Sequence, residues 1–292
     1  MPDRVSSLYA PEAGIAVIGA SIPELVREIR DLHDLAPIAT AAVGRLVAGA
    51  VLFGTGLKRR ERVSIQISAD GPIGHLFADA WLLDEHTIGA RGYARNPYVD
   101  LPLNDRGKFD VAGALGSGSL QVTKIYEVGQ PYRGIVPLVS GEIAEDLAWY
   151  LARSEQIPSA VALGVLANPD GVIAAGGLLA QVLPGSDDRA VAELERRALA
   201  LAPVTQLMSE GADADGLVHA LAGDLELREH RRLDVRFACL CSREKVEAAL
   251  IGLGADDLRQ MARENETTHA SCEYCKRDYA FDADQIIALI AK

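Results

Sequence analysis

All four cysteines of this 292-residue chain fall in two tight pairs near its end, Cys239-Leu240-Cys241 and Cys272-Glu273-Tyr274-Cys275, with thirty residues between the pairs. No other feature restricts the local fold so strongly. Two ligands from each of two tight turns supply a tetrahedral set of four thiolates at low entropic cost, the arrangement that zinc prefers. The spacing predicts a metal site holding one Zn2+ per chain. Four thiolates also fill the coordination shell and leave no open position for water, so hydrolytic zinc chemistry is not expected. His269, three residues before Cys272, is a competing ligand by position, but four cysteines already suffice.

Spacing alone leaves two roles open. One is a purely structural zinc knob. The other follows from the CxC pair: cysteines at i and i+2 of an extended segment lie near or beyond the upper Cα separation for a disulfide, so bridging them requires bending and strain. Strained disulfides are the labile, regulatory ones. Structural zinc contributes about 10–16 kcal/mol of apparent folding free energy in small peptide domains, against about 5–15 kcal/mol for the whole stability of a typical protein. Oxidising the ligands should therefore unfold the segment. The spacing permits a redox switch without showing that one is used.

The rest of the chain is globular in composition, 49% hydrophobic and 24% charged. Its length predicts about two domains. The start, MPDRVSSLYAPEAG, lacks a basic stretch followed by an apolar one, so no secretory signal is read and a reducing, cytoplasmic setting is expected. The one long apolar run, 36–57, carries Arg45 near its middle. A central Arg costs about 2.5–3.5 kcal/mol in a membrane helix, so a buried helix of a soluble domain is expected and no membrane contact. A net charge of −12 with no basic run longer than Lys58-Arg59-Arg60 repels phosphate backbones and acidic lipid surfaces, so no nucleic-acid partner is expected either.

Up to residue 184 the patterns mix. Ser21 with Glu24 three residues on reads as a capping box for a helix through His33, and a second helix is expected over 37–53. Polar–apolar alternation over 62–68 marks a half-buried strand, and further strands are expected at 74–82, 87–94, 119–127 and 132–139. A helix over 142–154 precedes two β-rich runs, 160–167 and 172–183, joined by a turn at 168–171. This predicts an α+β domain over 1–184. From Ser186, with Asp187 and Asp188 as an acidic first turn, a one-sided stripe of Val191, Leu194, Ala198 and Leu201 predicts a helical, charge-rich linker over 185–232, broken at 210–216. It is too polar to build a core and must lean on something else. The last part, 233–292, holds both cysteine pairs and helical patterns at 243–253, 255–264 and 283–291; at this size it is marginal on burial alone.

The CxC pair followed by Ser242-Arg243-Glu244, and CEYC followed by Tyr279 and Phe281, resemble the redox domain of the heat-shock protein 33 family of redox-regulated holdase chaperones. Asp70-Gly71-Pro72, Gln130-Pro131-Tyr132 with Gly134 and Val136, Arg153-Ser154-Glu155-Gln156 with Pro158, and Ala174-Ala175-Gly176-Gly177 with Gln181-Val182 are similar to the family's pattern in the same order. The resemblance runs over nearly the whole chain. It implies that Cys239, Cys241, Cys272 and Cys275 bind zinc when reduced, and that oxidation pairs Cys239 with Cys241 and Cys272 with Cys275. Zinc then leaves, the C-terminal domain unfolds and the linker loses its support. The apolar surface so exposed holds unfolding client proteins without ATP. Monomers when reduced and homodimers when oxidised are also implied.

Two other classes compete. A thiol–disulfide oxidoreductase using Cys272 and Cys275 would place its CxxC at a helix N-terminus, whereas this one lies between strand-like residues. A zinc-ribbon nucleic-acid module would have to work against the acidic balance, with Lys276 and Arg277 as its nearest cations. No acid–base pair or nucleophile triad is read, so an enzyme is not expected. Ser117 and Ser119 read as part of a turn before a strand, and Gly176-Gly177 as close backbone packing rather than a phosphate cradle.

Overall fold

The alternating segments of the chain line up as ten hydrogen-bonded strands in the computed structural model, which describes residues 2–105, 107–168, 170–186 and 188–291. The strands are β1 (Arg4–Ala10), β2 (Ile15–Ser21), β3 (Arg62–Ala69), β4 (His75–Leu82), β5 (Thr87–Ala94), β6 (Gly118–Ile125), β7 (Tyr132–Pro137), β8 (Ser159–Asn168), β9 (Gly171–Val182) and β10 (Arg228–Phe237). Their order is β7-β6-β3-β4-β5-β10-β1-β2-β9-β8. Every pairing is antiparallel except β10 on β5, which is parallel. In β3 the alternation is plain: Val63, Ile65 and Ile67 are buried, and the polar residues between them are half-exposed. The mixed helix and sheet content agrees with the α+β expectation.

One face of the sheet is covered by α1 (Pro23–His33), α2 (Pro37–Gly54), α3 (Val111–Leu115) and α4 (Ala144–Tyr150), the last running on into a single π-helical turn, Leu151–Glu155. α2 is long and apolar enough to cross a membrane, yet 83% of it is buried inside this unit. Its Arg45 reaches the edge of the layer and pairs with Glu142 at 2.7 Å. The Ala and Gly residues of α2 let neighbours approach closely; a Cβ on Gly44 would press on Val165 and Val26.

The opposite face, over β1, β2 and β9, is covered by α5 (Asp188–Ala200), α6 (Val204–Ser209) and α7 (Ala214–Ala222). Leu8, Ile15, Val17 and Leu178 of the sheet meet Leu194, Val204, Leu217, Val218 and Leu221 of these helices in a second apolar core. The polar linker expected from sequence does lean on the sheet. Its break falls where expected, α6 ending at Ser209 and Asp213 capping α7 by accepting from the Gly216 amide at 2.8 Å. Asp187 of the expected acidic turn lies outside the described residues, as does Pro169 of the turn in which the Asn168 side chain accepts from the Gly171 amide. Ser186 donates its hydroxyl to the Gly14 carbonyl at 3.2 Å.

Two readings are corrected. Ser21 is not a helix cap: it ends β2, paired with Arg4 and Gly176, because the sheet claims its backbone. The N-terminus of α1 is capped from a distance by the Asp3 carboxylate, which accepts from the Glu24 amide at 3.1 Å and the Leu25 amide at 2.6 Å. The point 232/233 falls inside β10, and the chain divides into two compact units at 238/239. Gly176 and Gly177 do serve close packing, the first against the Ala20 carbonyl and the second against Leu163 and the Ala162 carbonyl.

The second unit contains α8 (Arg243–Ile251), α9 (Ala255–Glu264), a hairpin of β11 (Thr267–Ser271) and β12 (Asp278–Asp282), and α10 (Ala283–Leu289). Asp282 and Gln285 form a reciprocal capping box for α10. Its buried core consists of Leu250, Leu258, Tyr279, Phe281, Ile286 and Leu289, a small core for an independent fold.

Candidate metal centre

Cys239 and Cys241 stand on the extended segment just before α8, whose first turn is capped by Ser242 through the Lys245 amide at 3.3 Å. Cys272 and Cys275 occupy the turn between β11 and β12. That turn is closed by the Cys272 amide on the Arg277 carbonyl (2.9 Å) and the Lys276 amide on the Cys272 carbonyl (2.8 Å), with Lys276 in the left-handed region at φ 53°. Each pair is thus local, and the small core brings the two pairs together.

The four Sγ atoms lie within 4.8 Å of one another, and all four residues are half-buried free thiols. Cys239 and Cys272 are 3.7 Å apart at sulfur, Cys241 and Cys275 3.4 Å. A tetrahedron with metal–sulfur bonds of about 2.3 Å has edges of about 3.8 Å, so the donor set fits a metal ion. Burial pushes the Cys275 thiol up to about 12 and raises that of Cys272 as well. Such sulfurs ionise when a cation among them compensates the charge.

His269 is not drawn into the cluster. It sits on β11, exposed, with Nδ1 2.5 Å from Asp278, whose carboxyl is held below its usual range first of all by that hydrogen bond. Lys276 is paired with Glu273 at 3.2 Å. The CxxC pair is at a hairpin turn and not at a helix N-terminus, the place where an oxidoreductase would need it.

The surrounding shell was not singled out as functional by sequence reasoning. Tyr279 on β12 donates its hydroxyl to Cys241 Sγ at 3.1 Å. The Arg243 guanidinium lies 4.1 Å from the centre of the Phe281 ring and donates to the Ala280 carbonyl and to Gln285, both at 3.0 Å, tying α8 to the hairpin. The advance signal for Arg243, Tyr279 and Phe281 was their part in the family resemblance around the cysteine pairs.

A two-unit α+β chain with a centre of four thiols able to hold a metal ion defines a class, and comparison with known proteins narrows it. The family model described as Hsp33 protein matches residues 3–282. The chain is 41% identical to the 33 kDa chaperonin of Nostoc punctiforme, covering 100% of this chain and 97% of that one. It is 37% identical to the 33 kDa chaperonin of Acetivibrio thermocellus, over 99% and 97%. The crystal structure of the 33 kDa chaperonin of Thermotoga maritima, a heat shock protein 33 homolog, superposes with a TM-score of 0.89 at 35% identity, covering 100% of this chain and 98% of that one. The chain belongs to the Hsp33 family, a family of chaperones and not of enzymes.

Proposed function

We propose that this chain is an ATP-independent holdase, inactive when reduced and zinc-bound and activated by oxidation. The observation that carries the reading is the cluster of four sulfurs joining the two halves of a unit whose own core is six buried side chains. When bound, zinc supplies the positive charge that keeps four thiolates together. Cys239, Cys241, Cys272 and Cys275 hold it, and Ser242, Tyr279 and the hairpin turn position them.

Activation consumes two equivalents of a peroxide. In each equivalent two thiolates lose two electrons in forming one S–S bond, while the O–O bond breaks and the oxygens leave as two waters after taking up two protons. The bonds are Cys239–Cys241 and Cys272–Cys275, all four sulfurs lying within reach of one another. With the thiolates gone the metal is released, and a unit with so small a core does not hold its fold.

Residues 1–184 together with β10 act as the chaperone platform, α5–α7 as a releasable linker and 239–292 as the switch. Release of α5–α7 uncovers Leu8, Ile15, Val17 and Leu178 on the sheet and the apolar stripes of the helices themselves. Unfolding client proteins bind there. The reduced chain is a monomer and the oxidised one a homodimer; the setting is the cytoplasm, where thiols rest reduced, and neither nucleic acid nor membrane takes part. Light scattering of a thermally unfolding client tests this: suppression by the peroxide-treated chain and none by the reduced chain is expected, and equal behaviour of the two would refute the switch.

A further inference from the structure

We propose that Arg243 is a positioning residue that latches the Cys239–Cys241 arm onto the hairpin and so sets how fast the metal centre opens, an inference that rests on the zinc-bound reading of the four cysteines. Arg243 is the first residue of α8, two beyond Cys241. Its Nη1 donates to the Ala280 carbonyl of β12 and its Nη2 to Gln285 Oε1 of α10, both at 3.0 Å. The same guanidinium lies 4.1 Å from the centre of the Phe281 ring. Phe281 is 1% exposed and pairs with Thr268 across the hairpin, so the surface that receives the guanidinium is itself fixed.

The arm and the latch move together. Ser242 accepts from the Lys245 amide, and Lys245 Nζ donates to the Leu240 carbonyl, which ties the CxC segment to the first turn of α8. Cys239 and Cys241 therefore draw away from Cys272 and Cys275 as that turn leaves the hairpin, and the contacts of Arg243 break when it does. Gln285 Oε1 also accepts from the Asp282 amide at 3.2 Å within the cap of α10, so the latch closes on an acceptor already held in place. A planar guanidinium can serve two acceptors while lying on a ring, and an ammonium cannot. Four sulfurs fill the shell of the metal, so an incoming donor enters only after a sulfur has left. The latch resists that step.

The test uses the full-length, reduced, zinc-loaded protein and an excess of the chelating dye pyridylazoresorcinol, whose colour reports zinc as it passes from the sulfurs to the nitrogen and oxygen donors of the dye, with no change of oxidation state. Amide exchange is followed on the same samples. Arg243→Lys keeps the charge and the stem but loses the fork, and its zinc transfer is expected to be on the order of tenfold faster, as loss of two hydrogen bonds implies, while α9 and β11 keep their protection. Leu289→Ala, in the buried core of this unit, is the control: it speeds transfer only as far as it lowers protection across α9 and β11 together. Gln285→Glu, which puts a carboxylate under the guanidinium, should slow transfer about twofold to threefold.

Transfer from Arg243→Lys at the wild-type rate overturns the proposal. So does faster transfer matched by a loss of protection in α9 and β11 in the proportion seen for Leu289→Ala, the pattern of a merely structural role. Should Arg243→Lys fail to retain zinc, Gln285→Glu decides: slower transfer supports the latch, and a rate equal to or above that of the wild type overturns it. These rates are read on the reduced protein, so absence of holdase activity after oxidation would count against the chaperone switch and not against Arg243.

Discussion

A Cβ on Gly19 of β2 would run into the carbonyl oxygen of Ala214, so the sheet and the first turn of α7 meet backbone to backbone. No rotamer change relieves such a clash, and the helix must move. Gly19→Ala is therefore expected to loosen α7 at a cost of about 1–3 kcal/mol, the usual range for overpacking. In the reduced, zinc-loaded protein it should raise amide exchange in α7 while β3 and β4 stay protected. Because release of this layer is what exposes the apolar face, the same variant should suppress client aggregation without oxidant. Unchanged exchange in α7 would mean that the helix layer tolerates the added methyl.

Asp79 and Arg91, on neighbouring strands β4 and β5, form a buried pair, with Nη2 2.7 Å and Nε 3.0 Å from the same carboxylate oxygen. The guanidinium also lies 5.4 Å from the centre of the Trp81 ring. Asp79→Ala takes the carboxylate away from a charge that stays buried, which costs about 3–5 kcal/mol. The exposed pair Arg4–Asp234 offers the contrast: Asp234→Ala should cost at most about 1 kcal/mol. Denaturant midpoints of the two variants check both figures, and equal effects would contradict the assignment of burial.

Asp3 sets a pH dependence with a defined sign. Burial, the largest cause, raises its carboxyl from 3.8 to about 6, although amide bonds from Leu25 and Glu24 pull the other way. The folded chain thus binds this proton more tightly than the unfolded chain does. Its contribution to stability is fully present below pH 3.8 and is lost as pH rises to about 6. Asp3→Asn removes the titration, so the stability of wild type relative to variant should fall by about 2–3 kcal/mol across that window. Parallel stability curves from pH 4 to 6 would show that Asp3 does not titrate as its burial implies.

The metal centre was legible in the sequence because each cysteine pair is a local turn, and α2 because Pro37 opens an apolar run. The sheet was legible in β3, whose two faces differ. β1, β2 and β10 were not. β2 reads IAVIGAS, apolar up to its final Ser21, because α7 covers one of its faces and α2 packs over the other, which erases the period-2 signal. β10 reads REHRRLDVRF and looks like charged linker, since Leu233 and Val235 are its buried side chains. Its place between β5 and β1 depends on partners more than a hundred residues away. The Ser21–Glu24 capping pattern misled for the same reason: pairing with β1 and β9 outweighed a local cap.

Hydrogen exchange of the full chain, read with its zinc content and free thiols before and after peroxide, tests the central claim most directly. The account predicts that loss of four thiols and about one zinc per chain is accompanied by collapse of protection in 239–292 and in α5–α7, while β3, β4 and β6 keep theirs. If the thiols and the metal are lost and α5–α7 remain as protected as in the reduced protein, the linker is not released and the proposed switch is contradicted.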